Sequence, residues 1–315
     1  MAFDSDNART AIRMPRGQVL GSRLDSWLTA RTARRRGGGA SSADFDLVET
    51  SGGTVRLFDS RTVGPVVVLV PDGPNVIEHY DGLVPKLGES CRVVCFDMPG
   101  FGFSRPSKHY THSLDDGAAV VLDVLDHLQI PRATLAFSCA NGFYALRAAT
   151  LAPDRIAGLV LSQTPSIDSM HAWTDRTIPK PLRVPVLGHG LGWFLREKAA
   201  LGWYAAALPR TTDAAPFRHV AKTALQQGAC FCLAGVVQGL TREPSGALGA
   251  VDQPCTLVWG GSDRSHRHTD PTSLRETLPR AELIAFDHCG HFPDLEDAEQ
   301  FAELVKERVA AHQAS

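Results

Sequence analysis

The chain has 315 residues, 43% hydrophobic and 21% charged, and a formal net charge of −2. That composition excludes collagen-like, fibrous and wholly disordered classes, and the overall charge gives no electrostatic case for binding nucleic acid. The length fits one large domain carrying an inserted module.

The charge is uneven. Residues 1–43 hold eight Arg and three Asp, a local +5, leaving −7 for the remainder. Val19, Leu20, Leu24, Trp27 and Leu28 recur at helical spacing, predicting a helix within Gly17–Ala33. Arg34–Arg36 then runs into Gly37–Gly39 and Ser41–Ser42, a flexible linker by composition. Residues 1–43 therefore read as an extension outside the core, dispensable for chemistry, with an anchor on an anionic surface or a partner-binding arm as the sharper readings. No apolar run reaches a membrane span of roughly 20 residues, and no leader pattern stands at the N-terminus. The seven Cys have no paired spacing. A reduced, cytoplasmic setting is expected.

From Asp44 the pattern alternates. Leu47–Glu49 and Thr54–Asp59 predict a hairpin around Gly52-Gly53. Val66–Val70, Arg92–Asp97, Ala133–Ser138 and Ile156–Leu161 are apolar, β-branched runs expected of strands buried on both faces. Ile77–Leu87, Ser113–Leu128 and Ala140–Ala152 predict helices between them. Cys255–Trp259 and Ala281–Phe286 resume the strands, and Gln300–Ala311 closes the chain as a helix. Alternation of this kind predicts an α/β fold: a mostly parallel sheet flanked by helices. The rhythm breaks over residues 167–250, where helical pieces such as Phe217–Leu240 stand among Trp173, Trp193, Phe194 and Trp203. This insertion is expected to form a helical lid over the strand ends, with those aromatics walling a pocket. The predicted organisation is an extension over 1–43, a core over 44–166, a cap over 167–250 and the rest of the core over 251–315.

Four segments carry chemistry. They are VVVLVPDGPN (Val66–Asn75), VVCFDMPGFGFS (Val93–Ser104), LQIPRATLAFSCANGFYA (Leu128–Ala145), and the pair LVWGGSD (Leu257–Asp263) with FDHCGHFPDLED (Phe286–Asp297). Taken in this order they resemble the α/β-hydrolase fold family, the subgroup with a helical cap, over residues 44–315. The resemblance implies a nucleophile on a tight strand-to-helix turn. Both Ser138, flanked by small Ala136 and Ala140, and Cys139 are open. A gapless match to the family's L-G-I-D-R-A-H-L-V-G-H-S-M-G-G places its Ser on Cys139 and its second Gly on Gly142, and favours Cys139.

The family's G-H-x-x-x-x-E makes His291 the base, and its W-G-x-x-D makes Asp263 the acid. Asp168, after the strand Ile156–Leu161, is the alternative acid. PDGPN resembles the family's H-G-G-P-G, so that Gly73 and Ala140 supply the oxyanion-hole amides. Asp72 stands there where the family has Gly, an acidic group beside a developing oxyanion. Asp97–Ser104 resembles D-x-P-G-x-G-x-S and is assigned a structural role; it is no phosphate loop. The polar run Arg264–His268 reads as solvated filler or as a contact for an anionic substrate group.

The resemblance implies hydrolysis of an ester, thioester or lactone through an acyl-Cys intermediate, or acyl transfer from the same intermediate. The substrate is then a small acyl compound, free or carrier-bound, with no cofactor. A Cys nucleophile argues against the family's dehalogenase and epoxide hydrolase branches, which use Asp. No Cys/His spacing points to a resident metal. A non-catalytic binding protein with a degenerate triad is the alternative of a different class.

Overall fold

The computed structural model describes residues 15–36 and 44–314. The linker expected over Gly37–Ser42 lies outside them. Helix α1 (Arg16–Arg36) comes first, followed by the hairpin β1 (Asp46–Thr50) and β2 (Gly53–Asp59), then β3 (Val66–Val70). A 3₁₀ turn (Ile77–Gly82) and the short helix α2 (Val84–Gly88) stand where one helix is predicted. Pro85 explains the split, because its ring clashes with the preceding turn and it offers no N–H to continue it. Next come β4 (Arg92–Phe96), the two-residue strands β5 (Phe101–Gly102) and β6 (Arg105–Pro106), and helix α3 (Leu114–His127). The Ser113 hydroxyl caps α3 by accepting from the Asp116 amide at 3.1 Å.

The centre is built from β7 (Ala133–Ser138), α4 (Ala140–Leu151) and β8 (Ile156–Ser162). The insertion between β8 and β10 (Cys255–Gly260) holds α5 (Ile167–Thr177), α6 (Leu187–Ala207), α7 (Ala215–Gln227), β9 (Cys230–Phe231) and α8 (Leu233–Leu240). The helix predicted over Phe217–Leu240 stops at Gly228, whose φ of 107° places it in the left-handed region that ends helices. β11 (Glu282–Phe286), α9 (Pro293–Glu296) and α10 (Ala298–Ala314) complete the chain.

Among the described residues one sheet runs β1-β2-β4-β3-β7-β8-β10-β11, with β6 on β2. The pairings from β4 through β11 are parallel, and β1 and β2 run antiparallel. The apolar runs are continuous because alternate residues feed two cores. Val68, Val70, Leu135 and Phe137 enter the one packed on α3 and α4. Val67, Leu69 and Ala136 enter the one shared with Phe301, Ala302 and Val305 of α10. A buried ion cluster locks the turn after β4: Arg56, fully buried, pairs with Asp97 at 2.9 Å and Glu78 at 2.6 Å. Asp97 also accepts the amides of Ile77 and Phe103. This bears the structural role expected of Asp97–Ser104.

Helix α1 does not stand apart. It lies along α6, with Gly17 against Pro185 and Gly21 against His189. Its inward face is polar: Gln18, Ser22, Asp25 and Thr29 are buried, whereas Leu20 and Trp27 of the predicted stripe are more than half exposed. His189 Nδ1 donates to Asp25 Oδ2 at 2.7 Å, and its other ring nitrogen faces Gln238 Oε1 of α8 at 3.2 Å. Apolar periodicity pointed at the wrong face because hydrogen bonds, not apolar burial, seat this helix. Asp25→Ala strands a buried imidazole and is expected to cost about 1–3 kcal/mol, read as a lower midpoint in urea unfolding. The Trp193 and Phe194 expectation also changes. Trp193 stacks under Arg196 beside α1, and Phe194 is 82% exposed, so neither walls the cavity.

Candidate active site

The candidate groups all follow the C-terminal ends of parallel strands, where open α/β sheets hold their ligands. Cys139 sits between β7 and α4 with φ 50° and ψ −121°. A non-glycine residue is held in that region only where its surroundings impose it. The surroundings are visible. The Cys139 amide donates to Ser162 O at 2.7 Å, and Thr164 Oγ1 donates to Cys139 O at 3.0 Å. Gly142 is obligatory next to them, since a Cβ there lies 2.1 Å from Thr164 Oγ1. Asn141 reaches back to Pro71 O at 3.0 Å and ties the turn to the loop after β3.

Ser138 points to the opposite face. Its hydroxyl donates to Asp294 Oδ2 at 2.9 Å, and Tyr80 donates to the same oxygen at 2.6 Å. Cys139, not Ser138, therefore faces the cavity. Asp168 begins α5 with its carboxylate on the Ser245 hydroxyl, and His291 is held by another acid.

That acid is Asp263. His291 Nδ1 donates to Asp263 Oδ2 at 2.7 Å, and both side chains are buried. Gln163 Nε2 donates to the same oxygen at 2.6 Å, while the Ser265 amide and hydroxyl each donate to Oδ1 at 2.7 Å. Burial pushes the Asp263 carboxyl up, but the His291 charge and hydrogen bond, with the Ser265 hydroxyl, outweigh it and hold it at about 2. For His291 burial pulls downward, yet the Asp263 charge, the Cys139 sulfur and the bonds to Asp263 and Asp72 raise it well above the ordinary value. Burial raises the Cys139 thiol, as does the Asp72 charge; the His291 charge opposes both. Asp72 Oδ2 lies 3.3 Å from His291 Nε2. Burial raises Asp72 as well, which favours its neutral form.

The cavity over Cys139 measures about 80 Å³ and is bounded by Phe101, Phe231, Trp173, Trp203 and apolar residues of α8. Trp203 sets its ring edge on His291 at 5.4 Å between centroids. His266, in the polar run after Asp263, is buried and stacks between Trp173 and His291, with centroids 5.1 Å from each. Burial and the His291 charge lower it to about 3, so it is neutral. The sulfur of Cys139 and one ring nitrogen each of His266 and His291 come within 4.8 Å of one another. Gln163, Ser265 and His266 escape a reading by motif. The polarity of the run after Asp263 is the single sequence signal for Ser265 and His266, Gln163 has none, and the run is not open to solvent throughout.

Residues 67–304 match the Alpha/beta hydrolase family. The chain belongs to that family and is an α/β-hydrolase enzyme. It is 25% identical over 270 residues to 2-hydroxymuconate semialdehyde hydrolase from Pseudomonas sp. (strain CF600), covering 82% of this chain and 92% of that one. It is 25% identical over 277 residues to haloalkane dehalogenase 2 from Mycobacterium bovis, covering 82% and 93%. An epoxide hydrolase structure from Vigna radiata shares the fold with a TM-score of 0.69 at 13% identity, covering 85% of this chain and 98% of that one. No helix among the described residues is long and apolar enough to cross a membrane.

Proposed function

We propose that the protein cleaves an ester, thioester or lactone through an acyl-Cys139 intermediate. The observation that carries this reading is Cys139 on the positive-φ turn, in the same buried cluster as His291, whose far nitrogen Asp263 holds at 2.7 Å. In the reacting form His291 Nε2 already holds the thiol proton, the ion pair that a raised His291 favours, and the thiolate attacks the acyl carbon. The carbonyl π electrons move to oxygen, which the Gly73 and Ala140 amides receive. The leaving atom departs with the proton from Nε2. Water, giving its proton to the same nitrogen, then attacks the thioester and releases acid and thiol.

Asp72 opposes an oxyanion only while ionised, and its raised pKa reduces that opposition. The relatives named for dehalogenation and epoxide hydrolysis set the competing reading. Position 139 is Cys where the resemblance implies Asp for those reactions. The test is mass mapping of peptides after arrest with aryl and thioester acyl donors. The expected adduct sits on Cys139 sulfur; an adduct on Ser138, or none, overturns the reading.

A further inference from the structure

His266 raises a question that acyl chemistry leaves open. It is a buried histidine, stacked on the catalytic imidazole, whose Nε2 has no hydrogen-bond partner. We propose that the same centre binds one soft divalent cation, Zn²⁺ foremost, through Cys139 Sγ, His266 Nε2 and His291 Nε2, with Asp72 as the fourth ligand, and that the bound ion silences the nucleophile. The silencing rests on the reading of Cys139 given above; the binding does not.

Four observations support the site. The three soft donors lie within 4.8 Å of one another, and all three residues are buried. Both imidazoles are oriented from behind, His291 Nδ1 by Asp263 Oδ2 at 2.7 Å and His266 Nδ1 by Thr269 Oγ1 at 3.1 Å. That leaves His266 Nε2 buried without a hydrogen-bond partner, while His291 Nε2 has Asp72 Oδ2 at 3.3 Å. An orienting partner on the far nitrogen is the usual support of a metal-bound histidine. Asp72 Oδ2 is 3.3 Å from His291 Nε2 but lies outside the 4.8 Å cluster, so it becomes the fourth ligand only by swinging toward the ion. A thiolate and a carboxylate also cancel the charge of a divalent ion, and a buried site requires that balance.

Zn–N bonds of about 2.0–2.1 Å and a Zn–S bond of about 2.3 Å place tetrahedral ligand atoms roughly 3.3–3.6 Å apart. From 4.8 Å, reaching that size takes a contraction of about 1.2–1.5 Å when the ion binds. Thiolate with imidazole selects Zn²⁺ over Mg²⁺ or Ca²⁺. The Zn–S bond forms as the thiol proton leaves to solvent, so no proton remains for His291 to move and neither Nε2 is free. The centre is assembled from separate strand-end loops spread between positions 72 and 291, which is why no short sequence spacing announces it.

The probe is Co²⁺ alone, titrated into the full chain after chelation. One Co²⁺ per chain is expected, with tetrahedral visible bands and a thiolate charge-transfer band that Cys139→Ser removes. Zn²⁺ should displace the Co²⁺ and block alkylation of Cys139, and a chelator should restore it. His266→Phe keeps an aromatic ring in the stack and should weaken Zn²⁺ at least about tenfold. Absence of the thiolate band, or unchanged Zn²⁺ affinity in His266→Phe, overturns the site. If the band appears but the Zn²⁺-loaded protein turns over acyl donors at full rate, the site stands and Cys139 is not the nucleophile. If no band appears yet alkylation of Cys139 abolishes turnover, the acyl chemistry stands and the metal site falls.

Discussion

Asp263→Asn is expected to lower kcat by about 10⁴, the loss such a swap gives when it fixes the wrong tautomer, with a far smaller loss of thermal stability. The hydrogen bonds decide the tautomer. Oδ1 of Asp263 accepts from the amide and hydroxyl of Ser265, so the amide oxygen of an Asn settles there. Its NH₂ then takes the place of Oδ2, facing His291 Nδ1 and Gln163 Nε2. Gln163 cannot turn over without loss, because its Oε1 accepts the Gly260 amide at 3.1 Å. His291 Nδ1 must become an acceptor, which puts the ring proton on Nε2, and that nitrogen can no longer take a proton from the thiol. The measurement is turnover beside a melt of the same sample. An active Asp263→Asn with an inactive Asp168→Asn moves the acid to Asp168.

The pH sign follows from the same bonds. A carboxyl lowered to about 2 in the folded chain stabilises it above the ordinary value near 3.8, and that contribution is lost as pH falls through about 2. Activity lost at mildly acid pH therefore does not come from protonating Asp263. His291 is shifted the other way. Its stabilisation is complete below the ordinary histidine range and is lost as pH rises through its raised value.

The sheet was legible because burial on both faces writes itself as continuous runs such as Val66–Val70, and two cores do share that strand. Gly142 was legible too, though what excludes a Cβ there is the Thr164 side chain in the loop after β8, not a strand. Helix ends that depend on one residue were harder: Pro85 and Gly228 each divided a predicted helix. Side-chain direction was hardest of all. Phe194 looks like a pocket wall by composition and faces solvent, while His266 looks like surface by its neighbours and is buried. Local composition carries no information about which distant element covers a residue. The docking of α1 by Asp25, against its own apolar stripe, has the same origin.

The choice of acyl donor follows from sulfur. A thiol has a pKa of about 8.5 against about 15.7 for a water-like oxygen leaving group, a gap of roughly seven units. When Cys139 attacks a plain alkyl ester, the tetrahedral intermediate expels thiolate more readily than alkoxide and returns to substrate. With a sensitivity of about 0.4–0.5 per unit, as in thiol exchange, that gap amounts to roughly 10³ in partitioning. Two features of the site narrow it. Burial raises the Cys139 thiol and so makes it a poorer leaving group, and a protonated His291 Nε2 donates to a departing alkoxide. A thioester, whose two exits are both sulfur, has no such handicap. For a matched pair carrying one acyl group, kcat/KM for the thioester is expected to exceed that of the ethyl ester by about 10²–10³. Aryl esters and enol lactones, which leave as weak bases, should fall near the thioester. Equal values, or a faster ethyl ester, would show that an oxygen nucleophile does the work and would return Ser138 to consideration, against the bond that holds its hydroxyl on Asp294.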